Sequence, residues 1–207
     1  MKNLLVEFIG TFFLVLVIGL TVLAPNASAM APLAIGATLM VMVYAGGPIS
    51  GGHYNPAVTL AVFLRGKCAA KDVLPYMIAQ LAAAAVAAEV VLYQKGYPVV
   101  TAGTPEVAKA LLNELLFTFA LCYTVLMTAT SAKSSGNSYF GLAIGFTVVV
   151  GAFAGGAISG GAYNPAVALG VTIMGLSSVA NIWIFLVANL AAGALAASVF
   201  KFVTEEA

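Results

Sequence analysis

The chain has 207 residues, of which 62% are hydrophobic and 7% charged, and its mean hydropathy is +1.08. A soluble domain of this length would expose too much apolar surface, so the composition predicts an integral membrane protein. The formal net charge of +1 gives no reason to expect a nucleic-acid partner, and no basic cluster is dense enough to be a lipid-binding patch.

Apolar segments, taken in chain order, predict an all-α membrane protein with six transmembrane helices. A full crossing takes roughly 20 apolar residues, and the expected spans lie at about 4–23, 32–46, 73–93, 110–129, 139–154 and 180–203. Two further apolar stretches, 56–64 and 165–174, are too short to cross, and each follows an Asn. We expect these two stretches to be re-entrant half-helices buried inside the protein.

The first span has an alternative interpretation. Lys2, the apolar run and the small residues at 27–29 resemble a signal peptide with a cleavage site. However, Glu7 interrupts the apolar run, and the pattern at 4–7 is echoed at 111–114. We therefore expect this segment to be a membrane span.

The few charged residues predict an orientation. With the N-terminus inside, six of the eight basic residues fall on the cytoplasmic side, as the positive-inside rule requires. These six are Lys2, Arg65, Lys67, Lys71, Lys133 and Lys201, whereas Lys95 and Lys109 fall outside. The prediction is a multi-pass protein of the cell membrane (plasma or inner) with both termini in the cytoplasm.

An internal repeat organises the chain. Residues 33–58 read LAIGATLMVMVYAGGPISGGHYNPAV and residues 142–167 read LAIGFTVVVGAFAGGAISGGAYNPAV, with 18 of 26 positions identical at an offset of 109. Three spans per half is an odd number, so the halves must have opposite topology, and their half-helices enter from opposite faces. We predict a single channel domain over 1–207, with repeat halves of about 1–103 and 104–207.

Both copies of the repeat end in Asn-Pro-Ala. Asn is a preferred N-cap and Pro suits the first helical position, so each motif starts a helix whose positive dipole end points to mid-membrane. The motifs are Asn55, Pro56, Ala57 and Asn164, Pro165, Ala166. The glycine-rich residues before each Asn are predicted to line a wet lumen with their carbonyl groups. These pore carbonyls belong to Gly52, His53, Tyr54, Gly161, Ala162 and Tyr163.

With these two motifs and six spans, the chain resembles the aquaporin family (major intrinsic proteins, water and glycerol channels) over nearly its whole length. The resemblance implies a homotetramer in the lipid bilayer with one pore per subunit. It also implies that Glu7 and Glu114 hold the re-entrant loops by hydrogen bonds. The alternative for these two intramembrane acids is a proton relay, which their symmetric placement away from the motifs disfavours.

The resemblance places a selectivity filter at Ile35, Ala152, Gly161 and Val167. Family members usually carry an Arg at the position of Val167, but the only arginine here is Arg65, after the other half-helix. The resemblance also implies that water-selective relatives tend to carry a His at the position of Ala152. Val and Ala in place of this Arg and His remove fixed donors and widen the gate. The counter-interpretation is that Tyr44 or Phe153, each beside a filter position, leans in and narrows it.

The predicted function is a passive channel for water and small uncharged solutes such as glycerol, urea, ammonia or neutral metalloid hydroxides. A strictly water-selective channel is the runner-up. An ion-coupled carrier is a lower alternative, because a carrier needs a charged midplane site and the motif region has none. We expect no enzymatic activity, no cofactor and no metal site. His53, the only histidine, is either a pH-sensitive gate or, preferably, a fixed wall residue.

Overall fold

The structure is a computed structural model that describes residues 1–25 and 27–206. Eight α-helices occur in this part of the chain. They are α1 (Lys2–Val22), α2 (Ala31–Ser50), α3 (Pro56–Leu64), α4 (Ala70–Lys95), α5 (Val107–Val125), α6 (Phe140–Ser159), α7 (Pro165–Ile173) and α8 (Ile182–Thr204). A π-helical turn over Leu126–Thr130 extends α5, and two short 3₁₀ turns cover Ala132–Ser134 and Val179–Asn181.

The expected fold class is confirmed. Six helices are long and apolar enough to cross a membrane, and the two nine-residue helices α3 and α7 occupy the positions expected for re-entrant half-helices. The spans expected at 32–46 and 139–154 are longer than predicted, because α2 and α6 continue through Gly-rich sequence to Ser50 and Ser159. Within a bundle, neighbouring helices support Gly and Pro residues that would end a helix in water.

The two halves meet where α2 crosses α6. A Cβ atom added at Gly36 would collide with the carbonyl oxygen of Gly145, and one added at Gly145 would collide with that of Gly36. This reciprocal contact joins two residues separated by the 109-residue repeat offset. Glycine at both positions therefore allows the backbones of the paired helices to touch, as small residues do in membrane bundles.

The half-helices α3 and α7 lie inside the ring of long helices. α3 packs against α8 and α4, and α7 packs against α4 and α8, so each half-helix contacts spans from both repeats. Gly193 of α8 allows this close approach, because a Cβ atom there would collide with the carbonyl oxygen of Ala57. The result is a buried pair of short helices whose N-termini face each other at the centre of the bundle.

One end of the bundle carries an ion pair between a buried arginine and a half-buried glutamate. The Arg65 guanidinium, at the C-terminus of α3, lies 2.6 Å from the Glu206 carboxylate, which follows α8. Glu206 also accepts hydrogen bonds from the Ser131 hydroxyl at 2.7 Å and the Ala132 N–H at 3.2 Å. This end of the bundle is called the Arg65 mouth below, and the opposite end, near Thr104, the Thr104 mouth.

Candidate functional site

Each half-helix begins with the capping arrangement that its sequence predicts. The Asn55 Oδ1 atom accepts a hydrogen bond from the Ala57 N–H at 2.8 Å, and Asn164 Oδ1 accepts one from the Ala166 N–H at 2.9 Å. Each Asn is extended, and a Pro follows at the first helical position. Both asparagines are thus fixed at the positive ends of two facing helices.

The two asparagines also bind each other's loop. Asn55 Nδ2 donates to the Tyr163 carbonyl at 2.9 Å, and Asn164 Nδ2 donates to the Tyr54 carbonyl at 2.9 Å. An amide nitrogen carries two hydrogens, so each Asn keeps one N–H for an oxygen atom of a passing molecule. Of the predicted pore carbonyls, those of Tyr54 and Tyr163 therefore already accept one hydrogen bond each.

Left-handed backbone at both tyrosines turns these carbonyls toward the opposite loop. Tyr54 has φ 50° and Tyr163 has φ 49°, which is uncommon for residues other than glycine. Strained backbone of this kind persists where its surroundings hold it, often at functional sites. The tyrosine hydroxyls supply such an anchor, because Tyr54 Oη donates to the Met42 carbonyl at 2.9 Å and Tyr163 Oη to the Gly151 carbonyl at 2.8 Å.

Glu7, fully buried in α1, holds the loop before α3. Its carboxylate accepts hydrogen bonds from the Ser50 hydroxyl at 2.7 Å and from the backbone N–H groups of His53 at 3.0 Å and Tyr54 at 2.7 Å. A fourth donor is the Gln80 side-chain amide at 2.8 Å. Because two of the four contacts are to loop backbone and the other two are to the adjoining helices α2 and α4, Glu7 has the geometry of a loop support.

Glu114 in α5 repeats this arrangement before α7. Its carboxylate accepts from the Ser159 hydroxyl at 2.7 Å and from the backbone N–H groups of Ala162 at 3.0 Å and Tyr163 at 2.7 Å. Neither Glu114 nor Glu7 lines the cavity between the half-helices. This placement favours the supporting role over the proton-relay alternative for both acids.

The first half carries a polar network that sequence analysis missed. His53 Nδ1 lies 3.1 Å from the Thr59 hydroxyl oxygen, which also accepts from the Gln80 amide at 3.0 Å. The equivalent positions in the second half are Ala162 and Ala168. Thr59 and Gln80 are polar residues in apolar helices, a signal that was visible, but their convergence on His53 depends on packing between α3 and α4.

A single cavity of about 480 Å³ connects the Thr104 mouth with both asparagines. Its wall includes the four filter candidates Ile35, Ala152, Gly161 and Val167 and all six predicted pore-carbonyl residues, Gly52, His53, Tyr54, Gly161, Ala162 and Tyr163. No Asp, Glu, Lys or Arg among the described residues contributes to this wall. A second cavity, of about 530 Å³, opens at the Arg65 mouth.

The two aromatic residues proposed as substitutes for a missing arginine lie elsewhere. Phe153 is 59% exposed, and neither it nor Tyr44 belongs to the wall of the 480 Å³ cavity. The Tyr44 hydroxyl donates instead to the Ser138 carbonyl at 2.9 Å, and its ring packs edge-on against Phe140. In this geometry neither side chain narrows the passage beside Val167.

Metal ligands do not cluster in the part of the chain that the structure describes. No group of three or more His, Cys, Asp or Glu residues is placed to hold an ion there. The polar groups of the cavity wall are instead amides, hydroxyls, backbone carbonyls and one imidazole, which suit hydrogen bonding to an uncharged solute.

Comparisons with known proteins agree with this geometry. The family model described as "Major intrinsic protein" matches residues 1–200. "Glycerol uptake facilitator protein-like 6" of Lactiplantibacillus plantarum is 34% identical over 212 residues, covering 95% of this chain and 95% of the relative. "Aquaporin NIP1-4" of Oryza sativa is 35% identical over 213 residues, covering 97% of this chain and 77% of the relative. "Aquaporin Z" of Brucella melitensis is 30% identical, covering 97% of each chain.

A solved structure supports the fold. The X-ray structure of the aquaglyceroporin from Plasmodium falciparum superposes with a TM-score of 0.83 and covers 98% of this chain and 96% of that chain. Its sequence identity is 20%, so this likeness bears on the fold alone. The helix arrangement described above is therefore a known fold.

Proposed function

The chain belongs to the major intrinsic protein family, and from that premise we propose a passive channel for water and small uncharged solutes such as glycerol or urea. Its relatives carry names of both kinds, "Aquaporin Z" and "Glycerol uptake facilitator protein-like 6". A family of channels also leaves no role for catalysis, in agreement with the expectation that the chain is not an enzyme.

One observation carries the proposed solute range. The four filter candidates and both asparagines lie in the wall of one uninterrupted cavity that opens at the Thr104 mouth. Three of the four are apolar side chains and the fourth is a glycine, at Ile35, Ala152, Val167 and Gly161. Because no guanidinium projects across the passage, a solute wider than water reaches Asn55 and Asn164. There the free amide N–H groups bind its oxygen.

Two alternative functions, an ion-coupled carrier and a strictly water-selective channel, would require different groups in the cavity wall. An ion-coupled carrier needs a charged or ion-coordinating site at mid-membrane, and the described cavity wall carries no Asp, Glu, Lys or Arg. Exclusion of cations and protons then rests on the facing positive ends of α3 and α7. A strictly water-selective channel needs a narrow polar gate, which Ile35, Ala152 and Val167 do not supply.

The arrangement in the membrane is part of the same proposal. We infer that the Arg65 mouth faces the cytoplasm, as six of the eight basic residues favour, and that the Thr104 mouth faces outward in a plasma or inner membrane. The chain is taken as one channel domain with repeat halves of about 1–103 and 104–207. Family membership favours a homotetramer with one pore in each subunit.

Stopped-flow light scattering on reconstituted proteoliposomes tests the solute range. Wild type is compared with Val167→Arg for water, glycerol and urea. We expect wild type to conduct all three, and the arginine to block glycerol and urea while sparing water, because a guanidinium restores a narrow polar gate. Val58→Arg, at the repeat-equivalent position of the first half-helix, is the matched control for placing an arginine after an Asn-Pro-Ala motif. Conduction of water alone by wild type would contradict the proposed range.

A further inference from the structure

The passage has a second narrow region on the Arg65 side of the asparagines. The 480 Å³ cavity ends there at Leu39 and His53. The 530 Å³ cavity begins at Val43 and Gly51, and the two cavities share no wall residue. At the other end of the pore the corresponding residues do not divide the space. Ala152 and Gly160, the repeat equivalents of Val43 and Gly51, lie in the same cavity as the asparagines.

Side-chain size explains this difference between the two ends. At three pore-lining positions of the duplicated segment, the first copy carries a bulkier residue than the second. The pairs are Leu39 against Val148, Val43 against Ala152 and His53 against Ala162. Since the halves are inverted, the bulkier set faces the Arg65 mouth and the smaller set faces the Thr104 mouth.

Exposure gives an independent measure of the same asymmetry. Val43 is 2% exposed and Leu39 5% exposed, whereas Ala152 and Val148 are half-buried. Gly52 is buried, but its repeat equivalent Gly161 is half-buried. Surface that lines an open pore counts as exposed, so the lower exposure means a tighter passage around Leu39 and Val43.

We propose that the ring of Leu39, Val43 and His53, on the Arg65 side, is the narrowest part of the pore and determines the largest solute that passes. The ring is mostly apolar and presents one imidazole. It therefore selects by width and by a single hydrogen-bonding edge. The Thr104-side filter then admits solutes that this ring rejects. This inference rests on the proposed function, since it assigns the size limit of the same channel.

The test exchanges residues between the two ends of the pore. Val43→Ala and Leu39→Val each introduce the residue that the second half carries. Ala152→Val and Val148→Leu are the matched reverse changes. Proteoliposomes are assayed for water, glycerol and erythritol, a four-carbon polyol, with permeability normalised to the amount of inserted protein. Val41→Ala, at an exposed position of the same helix that lines neither cavity, controls for the effect of a Val-to-Ala substitution itself.

We expect erythritol permeability to rise only for substitutions on the Arg65 side of the pore. Val43→Ala and Leu39→Val should each raise the ratio of erythritol to water permeability by about tenfold, the lower end of what one or two methyl groups change in a selective passage. Ala152→Val, Val148→Leu and Val41→Ala should leave this ratio unchanged. If Val43→Ala and Leu39→Val leave it unchanged while Ala152→Val lowers it, the Thr104-side filter sets the size limit and the proposal is wrong.

Failure of the proposed function gives a different result. If wild type conducts water but no glycerol, its solute range is narrower than proposed, and the ring is then tested by whether Val43→Ala admits glycerol. Gain of glycerol conduction supports the ring as the limiting element. Continued conduction of water alone by both Val43→Ala and Leu39→Val would overturn it.

Discussion

The two re-entrant loops have the same backbone but different surroundings. In each half, a carboxylate on the first helix (Glu7 of α1 or Glu114 of α5) accepts a hydrogen bond from a tyrosine N–H just before the half-helix. That tyrosine has a left-handed backbone conformation. Around this shared core the first loop adds polar side chains at His53 and Thr59, and the second has Ala162 and Ala168 at the equivalent positions.

This difference shows which features the architecture requires and which are free to vary. The carboxylate, the tyrosine and the asparagine recur in both halves because each satisfies a backbone group that burial would otherwise leave without a partner. Of the side chains that vary, His53 and Ala162 line the cavity wall, whereas Thr59 and Ala168 lie fully buried behind it. One duplicated scaffold therefore carries two different passages.

Removal of the carboxylates is expected to have the largest effect and to separate the two loops. Glu7→Leu leaves four buried donors without an acceptor and Glu114→Leu leaves three, and each unsatisfied donor costs about 1–3 kcal/mol. We expect both variants to lose most of their folded protein, with Glu7→Leu the more damaged. Thermal unfolding in detergent, followed by size-exclusion chromatography, measures this loss.

Conservative replacements serve as controls for this prediction. Glu7→Gln and Glu114→Gln keep the shape of the side chain and one acceptor oxygen. Their melting temperatures should therefore fall less than those of the leucine variants. Equal melting temperatures for Glu7→Leu and Glu114→Leu would show that the contact from Gln80 adds nothing to the first loop.

Removal of the network that distinguishes the first loop is expected to have an intermediate effect. Thr59→Ala takes away the hydroxyl shared by His53 and Gln80 and should lower the free energy of unfolding by about 1–2 kcal/mol, the cost of one or two lost hydrogen bonds. The melting temperature of the purified protein and its water permeability are the readouts.

The reciprocal change tests whether the network can be transplanted. Ala168 is fully buried, so Ala168→Thr adds volume without the partners that surround Thr59, and overpacking costs about 1–3 kcal/mol. A stability unchanged by either substitution would mean that the polar network is incidental to the first loop.

The smallest expected effect concerns the C-terminal ends of the half-helices α3 and α7. α3 ends at Arg65, paired with Glu206, whereas the repeat-equivalent residue after α7 is the buried Met174. Glu206→Gln should speed amide hydrogen exchange at residues 61–67 and leave residues 170–176 unchanged, because only the first end depends on a charge. Glu205→Gln, which alters the neighbouring exposed acid, is the matched control.

Acidification should reproduce this loss of protection, read as protection factors because intrinsic amide exchange itself slows as pH falls. The hydrogen bond from the Ser131 hydroxyl, followed by that from the Ala132 N–H and the charge of Arg65, lowers the pKa of Glu206 below its usual 4.5. A lowered pKa means that the carboxylate stabilises the folded state above pH 4.5 and that this contribution is lost as pH falls through the lowered value. Protection factors at 61–67 that fall equally in wild type and Glu206→Gln on acidification would contradict this assignment. The other charged groups near this site are Lys67, in the wall of the same cavity, and Lys133.

Much of the fold was predictable because it depends on local chemistry. Hydropathy predicted the six spans, and the Asn-Pro pairs predicted where α3 and α7 begin, since capping involves residues two or three positions apart. The C-terminal parts of α2 and α6 were missed because glycines end helices in isolation but not against a neighbouring helix.

The sequence by itself determined the membrane class, the duplicated half and the residues that start each half-helix. Only the tertiary structure decided which groups satisfy Glu7 and Glu114, that the Asn55 amide reaches the Tyr163 carbonyl, and that Glu206 reaches Arg65 across 141 positions. These contacts join residues that are distant in the chain, and their distances follow from how closely the helices pack. The relative width of the two ends of the pore has the same origin, because it depends on the side chains that face each other across the bundle.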